Sequence, residues 1–284
     1  MVNRKYKDRL FCLLFGNEEY KDNILSLYNA LCNTSYTNTD DIQIYTIEDV
    51  IYIKMKNDVS ILLDSFLYLW EQQSTFNPNM PIRGLLYFGK MYDKYIIENH
   101  LNIYGKMLIK LPTPKYTVLY NGMDEQPAFM QLRLSDSFIN PDTSGDFEWT
   151  ANMINLNDGK NDDLLDKCQP LKEYMILINE IRKNSENMKF EDAVDTAVTD
   201  CIEHNVLKSF LLKHRAEVLD VCITEYNEKT FVDGIREEGR KEGREEGQNL
   251  LATVVLRLRN GETLEQILAS GVDAKTIELA ETIK

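Results

Sequence analysis

Paired cysteines are missing from this sequence of 284 residues. The chain has no CxxC pair, and its five cysteines are scattered and odd in number, which does not suggest a disulfide framework. They are Cys12, Cys32, Cys168, Cys201 and Cys222. We therefore expect reduced, mostly buried thiols in a cytoplasmic protein.

Long apolar runs are also missing. No stretch approaches the roughly 18 uninterrupted apolar residues that a membrane span requires. The N-terminus starts with basic residues, but its apolar run is short and has no small-residue cleavage site, so no signal peptide is expected. The hydrophobic fraction of 43% and the charged fraction of 27% are typical of a soluble globular protein with one large or two ordinary domains.

Common catalytic signatures are absent as well, because the sequence has no HExxH, GxSxG or GxGxxG. His100, His204 and His214 lie far apart in sequence, so a histidine-centred mechanism is not expected. The segment 84–90, "GLLYFGK", has the spacing of a phosphate-binding loop, but Met91 stands where Ser or Thr would hold magnesium. Its helical periodicity indicates that the two glycines are packing positions.

The net charge of -14 argues at first against a nucleic-acid partner, since phosphates favour basic surfaces. Residues 1–115 contain 13 Lys and Arg and 13 Asp and Glu, a balance of 13 - 13 = 0. The remaining residues contain 19 basic and 33 acidic side chains, a balance of 19 - 33 = -14. The acidity therefore belongs to the C-terminal part, and the N-terminal part is neutral enough to approach DNA.

The N-terminal half has the pattern of a mixed α/β domain. Apolar residues at three- and four-residue spacing predict helices over residues 5–32 and after Pro81. Alternating, β-branched and aromatic residues predict a central sheet of about four to six strands. The strand segments are "IQIYTI", "VIYIKMK", the two arms of a hairpin at 57–75, "KYTVLYNG" and "FMQLRLSD".

A change in composition divides the chain. We expect a mixed α/β domain over residues 1–140, an acidic loop over 141–163, a helical region over 164–232, and a charged helix with a C-terminal helical hairpin over 233–284. The last region contains "GIREEGRKEGREEG", with glycines at four-residue spacing. This segment predicts either a solvated connector helix or a face where another helix packs closely.

The hairpin "NDVSILLDSFLYLWEQQST" carries a carboxylate in each arm. If Asp64 and Ser65 form the turn, Asp58 lies directly opposite Glu71, and Gln73 shares their face. Two carboxylates about 5 Å apart repel each other by roughly a few kcal/mol unless a positive charge lies between them. A divalent cation with oxygen ligands would supply it. The alternative is structural: Asp58 ends a strand, and Glu71 reaches solvent at an edge.

The sequence resembles the recombination-promoting nuclease and putative transposase family of the PD-(D/E)XK nucleases. The similar segments are "YKDRLFCLLF", "IYIKMKNDVSILL", "LWEQQSTFNPNMPIRGLLYF" and the glycine-spaced tail. The family motif is Asp, then a dozen or so residues, then Glu-x-Gln or Glu-x-Lys. Its positions correspond to Asp58, Glu71 and Gln73. The resemblance implies a restriction-endonuclease-like fold, with a mixed central sheet flanked by helices and an all-helical C-terminal region.

The resemblance also implies magnesium-dependent phosphodiester cleavage, with manganese as a substitute. Asp58, Glu71 and the Gln72 carbonyl would hold the metal. Gln73 stands where many relatives have lysine, and an amide can orient a water but carries no charge, so we expect a reduced rate. Lys56, diagonal to Gln73 in this register, could supply the missing ammonium.

We therefore expect a DNA endonuclease associated with recombination or mobile elements. The alternative is a catalytically weak or inactive nuclease-fold protein that acts as a nucleic-acid-binding or assembly module. DNA is the expected partner, and no membrane partner is expected. A homodimer through the C-terminal helices is a further expectation, because two-fold symmetry suits the cutting of both strands.

Overall fold

A mixed β-sheet lies at the centre of this computed structural model, which describes residues 5–45, 58–142, 144–222 and 250–283. Within those residues, six strands pair in the order β1-β2-β3-β4-β6-β5. The strands are β1 (Gln43–Ile44), β2 (Asp58–Leu63), β3 (Phe66–Gln73), β4 (Thr113–Tyr120), β5 (Phe129–Arg133) and β6 (Thr150–Asn155). The β3/β4 and β4/β6 pairs are parallel and the other three are antiparallel, which confirms the predicted mixed α/β class.

The β2–β3 hairpin has the predicted register. Its two turn residues, Asp64 and Ser65, have φ values of 53° and 65°. Positive φ at both central residues is the pattern of a type I′ turn, whose twist matches that of the two strands. Leu63 pairs with Phe66 beside the turn, and Asp58 pairs with Glu71 at the far end of β2.

Helices cover both faces of the sheet. They are α1 (Lys5–Phe15), α2 (Lys21–Cys32), α3 (Met80–Glu98), α4 (Asp162–Lys167), α5 (Gln169–Asn184), α6 (Phe190–Glu203) and a helical segment over residues 208–222. On one face, Tyr68 and Trp70 of β3 share a core with the helices other than α3. On the other face, Leu67 and Leu69 pack with α3 and with Val118 of β4. The strict alternation along β3 thus serves two separate cores.

The acidic loop expected over residues 141–163 contains strand β6. This strand is inserted between β4 and β5, where Ala151 and Met153 are buried in the core beneath α3. Its "TANMIN" sequence mixes three apolar residues, Ala151, Met153 and Ile154, with three polar ones, so its pairing depends on neighbouring strands. The helices after residue 162 share a core with α1 and α2, so this loop is not a boundary between compact units.

The chain divides into two compact units, Met1–Tyr226 and Asn227–Lys284. The described part of the second unit has helices at residues 250–259, Leu264–Ala269 and Ala274–Ile283. These helices enclose a small core of their own, formed by Val254, Leu258, Ile267, Ile277 and Ala280. The last two helices flank Gly271, in the region where the sequence predicts a C-terminal helical hairpin.

Three predicted features lie outside the described residues. They are the strand "VIYIKMK", Lys56 and the glycines of the "GIREEGRKEGREEG" segment. Among the described helices, none combines the length and the apolar character that a membrane crossing needs.

Candidate functional site

The candidate site lies where β2 begins and β3 ends. The antiparallel register pairs Asp58 with Glu71, and directly opposed residues of two strands share a face of the sheet. Gln73 is two residues further along β3, so it lies on the same face. The backbone therefore brings together the three residues of the predicted motif on the face that α3 covers.

Glu71 is a buried carboxylate with three hydrogen-bond donors around it. Only 1% of its side chain is exposed. Its Oε1 accepts a charge-assisted hydrogen bond from Nη2 of Arg83 and a 2.9 Å bond from Nε2 of Gln73. Its Oε2 accepts a 2.5 Å bond from the Tyr116 hydroxyl. A carboxylate has about four lone-pair sites, so one site on Oε2 remains for a further ligand.

Secondary structure brings these partners to Glu71. Helix α3 has a proline in its first turn, which suits a helix start, and Arg83 follows within that turn. Strand β4 runs parallel to β3 with Tyr116 beside Leu69, on the same face as Glu71. Gly84 is buried where α3 crosses β4, and a Cβ atom there would lie 2.4 Å from the Tyr116 ring. The missing side chain therefore lets α3 approach β4 closely enough for both partners to meet Glu71.

Burial and the neighbouring positive charge shift the pKa of Glu71 in opposite directions. Burial raises the pKa of this carboxyl group, and the Arg83 charge and the Tyr116 and Gln73 hydrogen bonds lower it, with a net shift upward. One guanidinium therefore does not fully offset the cost of burying the negative charge.

The hydrogen bond between Gln73 and Glu71 fixes the orientation of the amide. Its NH₂ group must face the Glu71 carboxylate, because an amide oxygen there would be repelled. The Gln73 carbonyl oxygen is then directed away from Glu71 Oε1. It can accept a hydrogen bond from a water molecule, which is the orienting role expected of glutamine at this position.

Gln72 lies on the opposite face of the sheet. Its buried side chain donates a 2.7 Å hydrogen bond to Asn121 Oδ1 in the core beneath α5. The predicted ligand is its main-chain carbonyl, so this side-chain position leaves that prediction open. Lys56 lies outside the described residues, and its suggested role stays a prediction.

Magnesium typically takes one or two protein carboxylates and completes its octahedron with waters and substrate oxygens. Glu71 has one lone-pair site left on Oε2, and the backbone of Asp58 pairs with that of Glu71 in the strand register. The described side chains here supply one carboxylate, and its oxygens already accept from Arg83, Gln73 and Tyr116, so they do not by themselves form a magnesium site. In the described part of the chain, no group of three or more His, Cys, Asp or Glu side chains is placed so that it could hold a metal ion.

Two functional candidates, Arg83 and Tyr116, were missed in the sequence. Arg83 had a detectable signal, since it is the one charged residue in the otherwise apolar first two turns of α3. Tyr116 had none, because its approach to Glu71 depends on the parallel pairing of β3 with β4. In comparisons with protein-family models, curated proteins and solved structures, nothing matches this chain.

Proposed function

We propose that this protein is a magnesium-dependent DNA endonuclease with a restriction-endonuclease-like fold, acting in recombination or on mobile elements. The observation that carries the proposal is the β2–β3 register, which pairs Asp58 with Glu71. The Gln73–Glu71 hydrogen bond adds the third motif residue to the same group. A mixed sheet with helices on both faces is compatible with the finer fold assignment.

Each residue has a role that follows from its chemistry. Asp58, Glu71 and the Gln72 carbonyl would hold Mg²⁺, with Mn²⁺ as a substitute. The bound metal would lower the pKa of a water molecule and stabilise the charge that develops on the phosphate. Gln73 holds Glu71 through its NH₂ group and orients water through its carbonyl oxygen. Because an amide is neither protonated nor ionised at neutral pH, it orients the attacking water without taking up its proton.

A second candidate function has its own supporting observation. Arg83 already pairs with Glu71, and two further donors engage the same carboxylate. This arrangement satisfies a buried charge without any metal. It favours a weak or inactive nuclease fold that serves as a nucleic-acid-binding or assembly module.

Nicking of supercoiled plasmid DNA separates the two functions. We expect cleavage with Mg²⁺ or Mn²⁺, binding without turnover with Ca²⁺, and no cleavage in EDTA. Loss of outer-shell metal partners typically costs about 10–100-fold, so Glu71→Gln, which loses a direct ligand, should lower the rate by at least about 100-fold. Glu125→Gln is the matched control, since Glu125 pairs with Lys160 on the surface.

Glutamine at position 71 keeps the volume of the side chain, and thermal unfolding checks that the variant is folded. Cleavage that survives EDTA, or a folded Glu71→Gln variant as active as the wild type, would contradict the nuclease proposal. DNA binding without cleavage by the wild type would support the second candidate function.

A further inference from the structure

We propose that the loop between α3 and β4, residues 99–112, binds DNA at a step where the bases are unstacked. Its lysines contact phosphates, and Tyr104, Met107 and Leu108 contact the exposed faces of bases. The inference rests on the proposed function for the choice of DNA as partner. It adds a second contact surface, away from Glu71, and names the form of DNA that this surface prefers.

The first support is the charge of this segment. Residues 99–123 contain three lysines and no acidic residue, a balance of 3 - 0 = +3. The rest of the chain contains 29 Lys and Arg and 46 Asp and Glu, a balance of 29 - 46 = -17. Lys106 and Lys110 are exposed, and neither forms an ion pair with another described residue. An acidic protein thus presents a local positive surface, which phosphates favour.

The second support is the exposure of large apolar side chains in the same loop. Tyr104, Met107 and Leu108 are 91%, 85% and 83% exposed. Exposed apolar residues need no explanation when they are scattered, but a contiguous group marks an interaction surface. A tyrosine ring can stack on any base, because every base has a π-face. Leu and Met are among the side chains that insert between base steps.

The third support is that the loop has a defined shape. The Tyr92 hydroxyl donates a 2.8 Å hydrogen bond to the Pro112 carbonyl, which ties the end of the loop to α3. Near the tip, the backbone N–H groups of Tyr104 and Gly105 donate 3.1 Å bonds to the side chain and to the main-chain carbonyl of Asn102. A surface that is ordered before binding loses less conformational entropy on binding.

The fourth support is the distance between the loop and Glu71. The loop ends at Thr113, which pairs with Phe66 at the start of β3, and Glu71 lies five residues further along that strand. A strand rises about 3.3 Å per residue, so the two points are about 17 Å apart. One strand of DNA advances about 3.4 Å per nucleotide, so about five nucleotides span this distance. The loop therefore extends the proposed site.

The mixture of side chains favours DNA over an anionic membrane. A DNA strand presents phosphates and bases side by side, and Lys106, Met107, Leu108 and Lys110 follow one another in the loop in the same way. A bilayer presents charge and hydrocarbon at different depths. An intact duplex hides the faces of its bases, and opening it costs least where a base is mismatched or already single-stranded. The apolar side chains therefore favour single strands and unpaired bases.

The test measures DNA binding by fluorescence anisotropy in EDTA, where metal-dependent cleavage does not occur. The labelled probes are a short single strand, the matched duplex, and the same duplex with one unpaired base. The variants are Tyr104→Ala and the double variant Lys106→Gln with Lys110→Gln. Phe147→Ala is the control for an exposed aromatic ring, and Lys183→Gln is the control for an exposed lysine. Thermal unfolding checks that every variant is folded.

Stacking of one base on an aromatic ring is worth about 5–150-fold in affinity. We expect the wild type to bind the single strand and the duplex with an unpaired base at least about fivefold more tightly than the matched duplex. Tyr104→Ala should lose at least about fivefold on those two probes, with an unchanged salt dependence. The double lysine variant should lower the slope of log affinity against log salt on the single strand by about 1.4, since each contacted phosphate contributes about 0.7. Both controls should bind as the wild type.

Three results would overturn the inference. The first is equal affinity of Tyr104→Ala and the wild type for the single strand. The second is competition by polyglutamate as effective as that by unlabelled single strand, which would assign the loop to an acidic protein partner. The third is sedimentation with vesicles of phosphatidylcholine and phosphatidylserine that Tyr104→Ala abolishes, in a protein whose DNA binding does not depend on Tyr104.

Failure of the inference can be told apart from failure of the proposed function. Glu71-dependent nicking by a protein whose Tyr104→Ala variant binds and nicks DNA as the wild type does overturns the inference alone. Binding that depends on Tyr104, without nicking, supports the inference and contradicts only the proposed catalysis. A wild type that neither binds nor nicks DNA overturns both.

Discussion

The two glycines of α3 provide a matched pair of substitutions that tests the packing around Glu71. Gly84 is buried, and an added Cβ would lie 2.4 Å and 2.6 Å from two Tyr116 ring carbons and 2.9 Å from Trp149 Nε1. Gly89 is exposed in the same helix, and among the described residues no atom lies within 4 Å of its added Cβ. We expect Gly89→Ala to stabilise the protein and Gly84→Ala to give a less stable protein than Gly89→Ala.

The magnitude follows from two terms. Alanine is favoured over glycine inside a helix by about 0.8–1.0 kcal/mol, and both variants share this gain. Adding a methyl group to a packed site costs about 1–3 kcal/mol, and only Gly84→Ala carries this cost. The difference between the two unfolding free energies therefore isolates the steric cost, about 1–3 kcal/mol. At roughly 2–4 °C per kcal/mol, the melting temperatures should differ by several degrees.

Urea unfolding followed by circular dichroism measures both variants against the wild type. The clash lies on the Tyr116 ring, whose hydroxyl donates to Glu71, so Gly84→Ala should also lower any Mg²⁺-dependent nicking, and Gly89→Ala should leave it unchanged. Equal stability of the two variants would refute the close approach of α3 to β4. It would also remove the structural reason for the contact between Tyr116 and Glu71.

The remaining predictions concern pH and assembly. Hydrogen bonds from the Ser135 hydroxyl and from backbone N–H groups lower the pKa of Glu148 in the folded protein. The ionised carboxylate therefore stabilises the folded state above the unfolded pKa of about 4.3. This stabilisation is lost as the pH falls through the lower folded pKa. The unfolding free energy of the wild type should exceed that of Glu148→Gln near neutral pH and converge with it in acid, and a gap independent of pH would contradict these contacts. Light scattering should show a dimer for the full chain and a monomer for a truncation ending near residue 226. A full chain that stays monomeric at tens of micromolar, with or without DNA, would exclude dimerisation through the C-terminal part.

Local interactions explain the parts that could be predicted from the sequence. The register of the β2–β3 hairpin depends on a two-residue turn and on alternation along each arm, so Asp58 could be placed opposite Glu71 without knowledge of the rest of the chain. The helical interpretation of residues 84–90 is confirmed for the same reason. Its period is a property of neighbouring residues. Of the two glycines predicted to be packing positions, Gly84 is buried against Tyr116, whereas the prediction for Gly89 was wrong because that residue is exposed.

The parts of the fold that the sequence did not predict depend on contacts between segments that are far apart in the chain. Half of the six residues of strand β6 are polar, and its place between β4 and β5 depends on edges that other segments provide. The helices after residue 162 were assigned to a separate region because their sequence shows that they have an apolar face but not which surface that face packs against. In the structure they complete the core over Tyr68 and Trp70.

The candidate site shows the same division at the level of single atoms. The sequence by itself determined that Asp58, Glu71 and Gln73 share one face at the end of a hairpin, because strand geometry has a period of two residues. Only the tertiary structure decided that Arg83 and Tyr116 meet Glu71. Their approach requires a parallel strand joined through α3 and a glycine that lets the helix close on the sheet, and neither contact is specified by the residues next to Glu71 in the chain.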